Sequence, residues 1–260
     1  MNFKNKNVFI SGATHGIGLS CILDFAKQGA NVITFSRDKK KISFLKKKLN
    51  LLNIKHLVSE GDILDKDFLH SFSKLVLKKF KYVDILIHNV GGGGSWGKDN
   101  LLESDLKVWD EVYQKNNNGL IIFNKYFLPS MVKKKWGRVI AIGSICGIEA
   151  KKEDRTWFTV SKSSQHAIIK SLSKKFYFTK KNVTFNSISP GPIFIKNTFW
   201  DNVRKKNPKK YKKYINDVLP TKYLGQPKDI SNLCLFLCSE KANYINGSNL
   251  IVDGGITNTI

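Results

Sequence analysis

Hydrophobic and polar positions along the chain fall into two alternating rhythms. Short runs rich in β-branched and aromatic residues, Val8–Ser11, Asn31–Phe35, His56–Ser59, Val83–His88, Arg138–Ile142, Val183–Ser189 and Asn249–Val252, read as seven strands. Between them apolar positions recur at helical spacing over Gly18–Gln28, Lys39–Leu52, Lys66–Phe80 and Ser161–Phe178. Near-continuous apolar strands alternating with helices predict an α/β fold, a doubly wound parallel seven-stranded sheet with helices on both faces. Ligands of such sheets bind outside the carboxyl ends of the strands, where the strand order reverses. With no internal repeat, linker or low-complexity stretch, residues 1–260 read as one domain.

Composition narrows the class. The 260 residues are 42% hydrophobic, enough for one sizeable core. No apolar run approaches the roughly 18 residues of a membrane span, and Met1–Asn7 is polar, so a cytoplasmic protein without membrane contact is expected. The cysteines, Cys21, Cys146, Cys234 and Cys238, are too sparse for a disulfide framework. Cys234 and Cys238 share a helix face, but no His or carboxylate is spaced to complete a metal site. Two buried core thiols and no metal are expected there.

The net charge is +24, and 40 of the 44 basic residues are Lys. An Arg-poor, evenly scattered charge does not resemble a reader of nucleic-acid sequence, so no specific nucleic-acid partner is expected. One cluster differs: seven of the ten positions from Arg204 to Lys213 are basic. It reads as a solvated helix face, as an attractor for an anionic substrate, or as a surface that holds nucleic acid nonspecifically at low salt.

The first strand runs into Ser11-Gly12-Ala13-Thr14-His15-Gly16-Ile17-Gly18 and then a helix. Glycines there permit a tight turn and a close backbone approach to a pyrophosphate seated on the helix N-terminus. The second strand ends in Ser36-Arg37, where a site for NAD would usually carry an acidic residue for the ribose hydroxyl. A hydroxyl and a fixed cation suit a 2′-phosphate instead, with His15 adding charge, so NADP(H) is expected over NAD(H). Asp38 follows at once and is a candidate to neutralise Arg37.

The spacing Gly12-x3-Gly16-x-Gly18 resembles the short-chain dehydrogenase/reductase family, particularly carbonyl reductases similar to 3-oxoacyl-acyl-carrier-protein reductase. The resemblance covers nearly the whole chain. Asp62 in Gly61-Asp62-Ile63 matches the adenine-contacting Asp, His88-Asn89-Val90-Gly91 the Asn-Asn-Ala-Gly after the fourth strand, and Asn116 after Trp109-Asp110 the catalytic Asn. Gly143-Ser144 matches the active-site Ser, and Pro190-Gly191-Pro192-Ile193 the loop that closes on the nicotinamide. Leu224-Gly225-Gln226-Pro227 and Val252-Asp253-Gly254-Gly255 match C-terminal signatures. The resemblance implies a Rossmann-like fold and cofactor contacts from Gly12, Thr14, His15, Gly16, Ile17, Gly18, Ser36, Arg37, Asp62, Ile63, Asn89, Gly91, Lys162, Pro190, Gly191 and Ile193. It also implies a substrate-covering lid at about 195–221 and a homotetramer or homodimer. The expected helices for that pairing, Ser104–Lys135 and Phe158–Phe178, carry Leu120, Ile121, Ile122, Phe123, Ile168, Ile169 and Leu172, which suit either an interface or the core.

The departures concern the chemistry. The family's Tyr-x3-Lys motif falls on Phe158-Thr159-Val160-Ser161-Lys162, so Lys162 is in place and the phenol is absent. In the family that phenol donates a proton to the carbonyl oxygen, Lys lowers its pKa and holds the cofactor ribose, Ser polarises the carbonyl, and Asn holds a water of the proton relay. A positioned general acid contributes about 10²–10⁴ in rate, whereas proximity alone supplies about 7–11 kcal/mol. A Phe158 enzyme is therefore expected to be slowed but not dead, with Ser144, the Lys162 ammonium or a substrate group as the replacement donor. Ile195 stands where the family often has a Thr that contacts the nicotinamide carboxamide. His88 reads as a packed, hydrogen-bonded residue or as a proton donor. Gly91–Gly97 contains Trp96, either a wall of the substrate pocket or a buried anchor. The readings are an NADP(H)-dependent oxidoreductase acting on a carbonyl or secondary alcohol, with Ser144, Lys162 and Asn116 working around Phe158, or a cofactor-binding pseudoenzyme that senses or scaffolds. A nucleic-acid binder rests on charge alone.

Overall fold

Along β1 (Asn7–Ile10), Val8 and Ile10 turn to one face and Phe9 to the other, and both sets are fully buried. A strand apolar on both faces needs cover on both, and the chain supplies it by alternation. The computed structural model describes residues 1–93, 96–97, 100–150 and 155–259. After β1 come α1 (Gly16–Lys27), β2 (Asn31–Ser36), α2 (Lys39–Asn50), β3 (His56–Glu60), α3 (Lys66–Phe80) and β4 (Ile85–His88). Then follow α4 (Leu106–Lys134), β5 (Gly137–Ile142), α5 (Thr156–Ser173), α6 (Phe176–Thr179) and β6 (Val183–Pro190). The chain ends with α7 (Phe199–Lys206), α8 (Pro208–Val218), α9 (Pro227–Cys238) and β7 (Asn249–Val252).

The seven strands form one parallel sheet in the order β3-β2-β1-β4-β5-β6-β7. The Rossmann-like doubly wound topology expected from the alternation is therefore present. The order reverses between β1 and β4, which opens a crevice at their carboxyl ends. One face packs Ile22 and Phe25 of α1, Leu45 and Leu49 of α2, and Ile230 and Cys234 of α9 against Val8 and Ile10. The opposite face is aromatic: Phe9 meets Phe123 and Phe127 of α4 at 4.5 and 5.1 Å between ring centroids, and Phe35 meets Phe72 of α3 at 5.7 Å.

Local chemistry explains the element ends. Asp38, Asp65 and Asp105 cap α2, α3 and α4 by accepting backbone N–H bonds. The helix expected over Ser161–Phe178 is two: α5 stops at Ser173 and α6 restarts at Phe176. Leu120, Phe123 and Ile169 of the proposed interface set lie in the core, while Ile121 stays exposed. Cys21, Cys234 and Cys238 are buried free thiols, and desolvation pushes Cys238 above its ordinary range. Among the described residues, no helix is long and apolar enough to cross a membrane.

Candidate active site

The turn from β1 into α1 is built for an anion. Gly12 and Gly16 hold φ of +65° and +55°, a conformation that side-chain-bearing residues rarely adopt. A Cβ on Gly12 would also collide with Val90. The α1 N-terminus carries no acidic residue in its first turn, and its cap residue His15 makes no side-chain capping bond. Its N–H groups and dipole therefore face the crevice uncompensated. The crevice is a cavity of about 460 Å³ lined here by Gly12, Thr14, His15, Gly16 and Ile17.

Across the cavity stand Ser36 and Arg37 at the end of β2, and Asp62 and Ile63 after β3. The Thr14 hydroxyl donates to Ser36 Oγ at 2.8 Å, which ties the glycine turn to β2. Arg37 is two-thirds exposed and meets Asp62 at 3.4 Å. Asp38 accepts from Lys41 N at 3.0 Å and pairs with the Lys41 ammonium at 3.5 Å, so it serves the start of α2. Lys115 of α4 also lines the cavity, with its ammonium 4.1 Å from the centroid of the Trp96 ring. Burial, then repulsion from Arg37, lowers the Lys115 pKa. Trp96, read from the sequence as a wall of the substrate pocket or a buried anchor, thus lines this cavity; Gly94 and Ser95 of the same run lie outside the described residues.

Next to Gly91, which lines the cavity with Asn89, several titratable and polar side chains gather. α5 brings Lys162 against Gly91 so closely that a Cβ there would lie 2.7 Å from Nζ and from Asn116 Oδ1. Lys162 is buried, and its ammonium donates to Ile142 O at 3.1 Å and to Gln165 Oε1 at 2.9 Å. Desolvation lowers its pKa to about 7, with Cys146 opposing the shift and Lys115 adding to it. Phe158 lies one turn earlier, its ring centroid 5.9 Å from Nζ. Ser144, two residues past the end of β5, is half-buried, its Oγ accepting from Cys146 N at 3.2 Å.

Asn116 is engaged more fully than the resemblance implies. Its side-chain amide donates to Gly92 O at 2.8 Å and Val112 O at 2.7 Å, and Gly92 N donates to its Oδ1 at 3.2 Å. Its backbone carbonyl accepts from Gln165 Nε2 at 2.6 Å and from His88 Nε2 at 2.7 Å. His88 is fully buried, and desolvation takes its pKa down to about 4. A ring neutral at neutral pH and donating to a carbonyl is a packing residue, the first of the two roles expected for it.

The remaining expected cofactor contacts, Gly18, Lys162, Pro190, Gly191 and Ile193, are not among the residues that line the cavity. Gly18 packs against Asn89 Nδ2 one residue beyond Ile17. Pro190 ends β6 paired with Val252, Gly191 presses on Asp253, and Ile193 packs on Gly225. From this loop it is Ile195 that lines the cavity, where its Cδ1 lies 2.9 Å from a Cβ built on Gly16. In the expected lid, α7 and α8 carry the basic cluster, but Arg204 and Lys205 each pair at 2.8 Å with the buried carboxylate of Asp201. Those bonds, with the Asn197 N–H, hold the Asp201 pKa well below the carboxylate range. Lys115 and Gln165 escape motif reading because each meets residues distant in sequence, Lys115 at the cavity and Gln165 on α4. The available signal was a Gln three residues past Lys162 in the buried stripe of α5.

Residues 12–257 match the family described as enoyl-(acyl carrier protein) reductase. The chain is 31% identical over 257 residues to a 3-oxoacyl-acyl-carrier-protein reductase of Buchnera aphidicola, covering 98% of this chain and 99% of that one. The crystal structure of L-sorbose reductase from Gluconobacter frateurii, complexed with NADPH and L-sorbose, superposes with a TM-score of 0.89 at 25% identity, over 100% of this chain and 99% of that chain. A 7α-hydroxysteroid dehydrogenase complexed with NADH and 7-oxoglycochenodeoxycholic acid gives 0.86 at 26% identity, over 99% and 96%. The family match, the sequence identity and the superposition each extend over nearly the whole chain, and the protein belongs to the short-chain dehydrogenase/reductase family of oxidoreductases.

Proposed function

We propose that this protein is an NADP(H)-dependent carbonyl reductase in which Lys162 supplies the proton that the family's tyrosine would give. The observation that carries this reading is the Lys162 ammonium, buried beside Gly91 with a pKa near 7 and one turn from Phe158. An acid whose pKa matches the working pH is the best general catalyst.

The residues present fit a dinucleotide. Gly12, Gly16 and the open end of α1 suit its pyrophosphate, and Ser36, Arg37 and Lys115 offer a hydroxyl and two cations for a 2′-phosphate. When bound, the nicotinamide exchanges hydride with the carbonyl carbon. Ser144 Oγ accepts from Cys146 N, and its hydroxyl proton would polarise the carbonyl oxygen. As negative charge develops on that oxygen, an Nζ–H bond of Lys162 breaks and an O–H bond forms, directly or through one water. Asn116 holds the glycine run in place through Gly92. The five exposed lysines of the Arg204–Lys213 cluster not bound to Asp201 favour an anionic substrate by steering. Assembly as a homodimer or homotetramer through α4 and α5 fits the exposed Ile121.

Fluorescence titration of NADPH and NADH at near-physiological salt, followed by a panel of neutral and phosphorylated carbonyls, tests the reading. Micromolar NADPH binding, weaker NADH binding and NADPH consumption with the anionic carbonyls are expected. NADPH binding without turnover of any carbonyl points to the pseudoenzyme, and equal rates on neutral and anionic carbonyls remove the anionic substrate.

A further inference from the structure

Gln165 is fully buried three residues beyond Lys162 on α5, on the same face of the helix. The orientation of its amide is fixed by chemistry. An ammonium only donates, so the atom 2.9 Å from Lys162 Nζ is the oxygen. A carbonyl only accepts, so the atom 2.6 Å from Asn116 O is the nitrogen. That carbonyl also accepts from His88 Nε2 at 2.7 Å, so both of its lone pairs are engaged by protein donors. The Lys162 ammonium is thereby linked to the backbone of α4 through a side chain, with no bridging water required. An apolar residue would fill this buried position without the desolvation cost of an amide, so the amide's presence calls for a role.

The ammonium has three N–H bonds. Ile142 O and Gln165 Oε1 take two of them. Loss of the third leaves both inward bonds intact and turns the new lone pair toward the site. We propose that Gln165 is a positioning residue for the acid–base step, fixing Lys162 so that its third proton, the transferable one, faces the reacting oxygen. In reduction that Nζ–H bond breaks as an O–H bond forms on the substrate oxygen, and in oxidation the same lone pair takes the proton back. This assignment rests on Lys162 being the donor.

The titratable groups that bear on Lys162 are His88 at the end of β4, Lys115 on α4, Cys146 in the turn after β5 and His166 on α5. His166 is held between the hydroxyls of Ser187 and Ser189, at 3.0 and 3.2 Å. None of these groups would respond in opposite senses to two substitutions at Gln165.

The test compares Gln165→Met, which removes the acceptor at nearly the same volume, with Gln165→Glu, which replaces it with a carboxylate. The readouts are the pH dependence of NADPH-driven carbonyl reduction and the pH titration of the ¹⁵N-lysine side-chain signal that disappears in Lys162→Met. Removing an acceptor from the charged form lowers its pKa, and a neighbouring carboxylate raises it. The Met variant should lose about tenfold in rate at pH 8 but only about twofold at pH 6, and the Glu variant should gain several-fold at pH 8. The lysine signal should move to lower pH in the first and to higher pH in the second. Unchanged profiles and titrations in both variants, or shifts in the same direction, overturn the assignment. Full activity in Lys162→Met instead removes Lys162 as donor, while the lysine titration still reports whether Gln165 holds it.

Discussion

Restoring the phenol is the most informative single substitution. In Phe158→Tyr the new hydroxyl extends from a half-buried ring whose centroid is 5.9 Å from the Lys162 ammonium. A cation at that range lowers a phenol's pKa below its usual value of about 10. A fully effective general acid contributes about 10²–10⁴ in rate. With Lys162 in the proposed role, its pKa near 7 supplies part of this, so the expected gain in kcat is about 10–10³-fold, or roughly 1.4–4 kcal/mol of barrier. The assay is steady-state NADPH oxidation with a carbonyl turned over by the wild-type protein, alongside NADPH titration and thermal melting. Affinity for NADPH should stay within about twofold, because Phe158 is absent from the cavity lining. The falling limb of the pH profile should move above pH 8 as the phenol takes over donation. An unchanged kcat in a folded variant that binds NADPH normally would show that the ring does not face the reacting oxygen.

Two further outcomes follow from the cavity and the core. Arg37→Gln should weaken NADPH binding about tenfold and leave NADH binding nearly unchanged, by calorimetric titration. The difference should shrink at high salt because Arg37 is largely exposed. For His88, the folded-state pKa near 4 lies below the unfolded value of about 6.5, so the unfolded chain binds the extra proton first as pH falls. Its contribution is complete above pH 6.5 and is lost progressively as pH falls toward 4, about 2 kcal/mol of it by pH 5. His88→Asn should flatten denaturant-measured stability over that window, and an unchanged slope would contradict the buried neutral ring.

The strands were legible because a parallel sheet covered on both faces demands near-continuous apolar runs, and each predicted strand lies within about two residues of the observed one. The glycine turn was equally readable, since positive φ at Gly12 and Gly16 restricts the residue type. The break between α5 and α6 was not, because Lys174 and Lys175 leave the helical spacing of flanking apolar residues intact. Around the site, Phe158, Lys162 and Asn116 stood out as a motif with one member altered. The bonds that give them meaning did not, because Gln165 meets Asn116 across 49 positions of sequence. The lid shows the same limit: a run of basic residues conceals that Arg204 and Lys205 hold a buried Asp201.

The account turns on Lys162 as the proton donor, and the pH dependence of carbonyl reduction by the unmodified protein addresses it directly. With NADPH and substrate saturating, the rate should fall by half near pH 7 and about tenfold by pH 8, as the ammonium is lost. A rate level through pH 9 would contradict it and assign the proton to Ser144 or to the substrate itself.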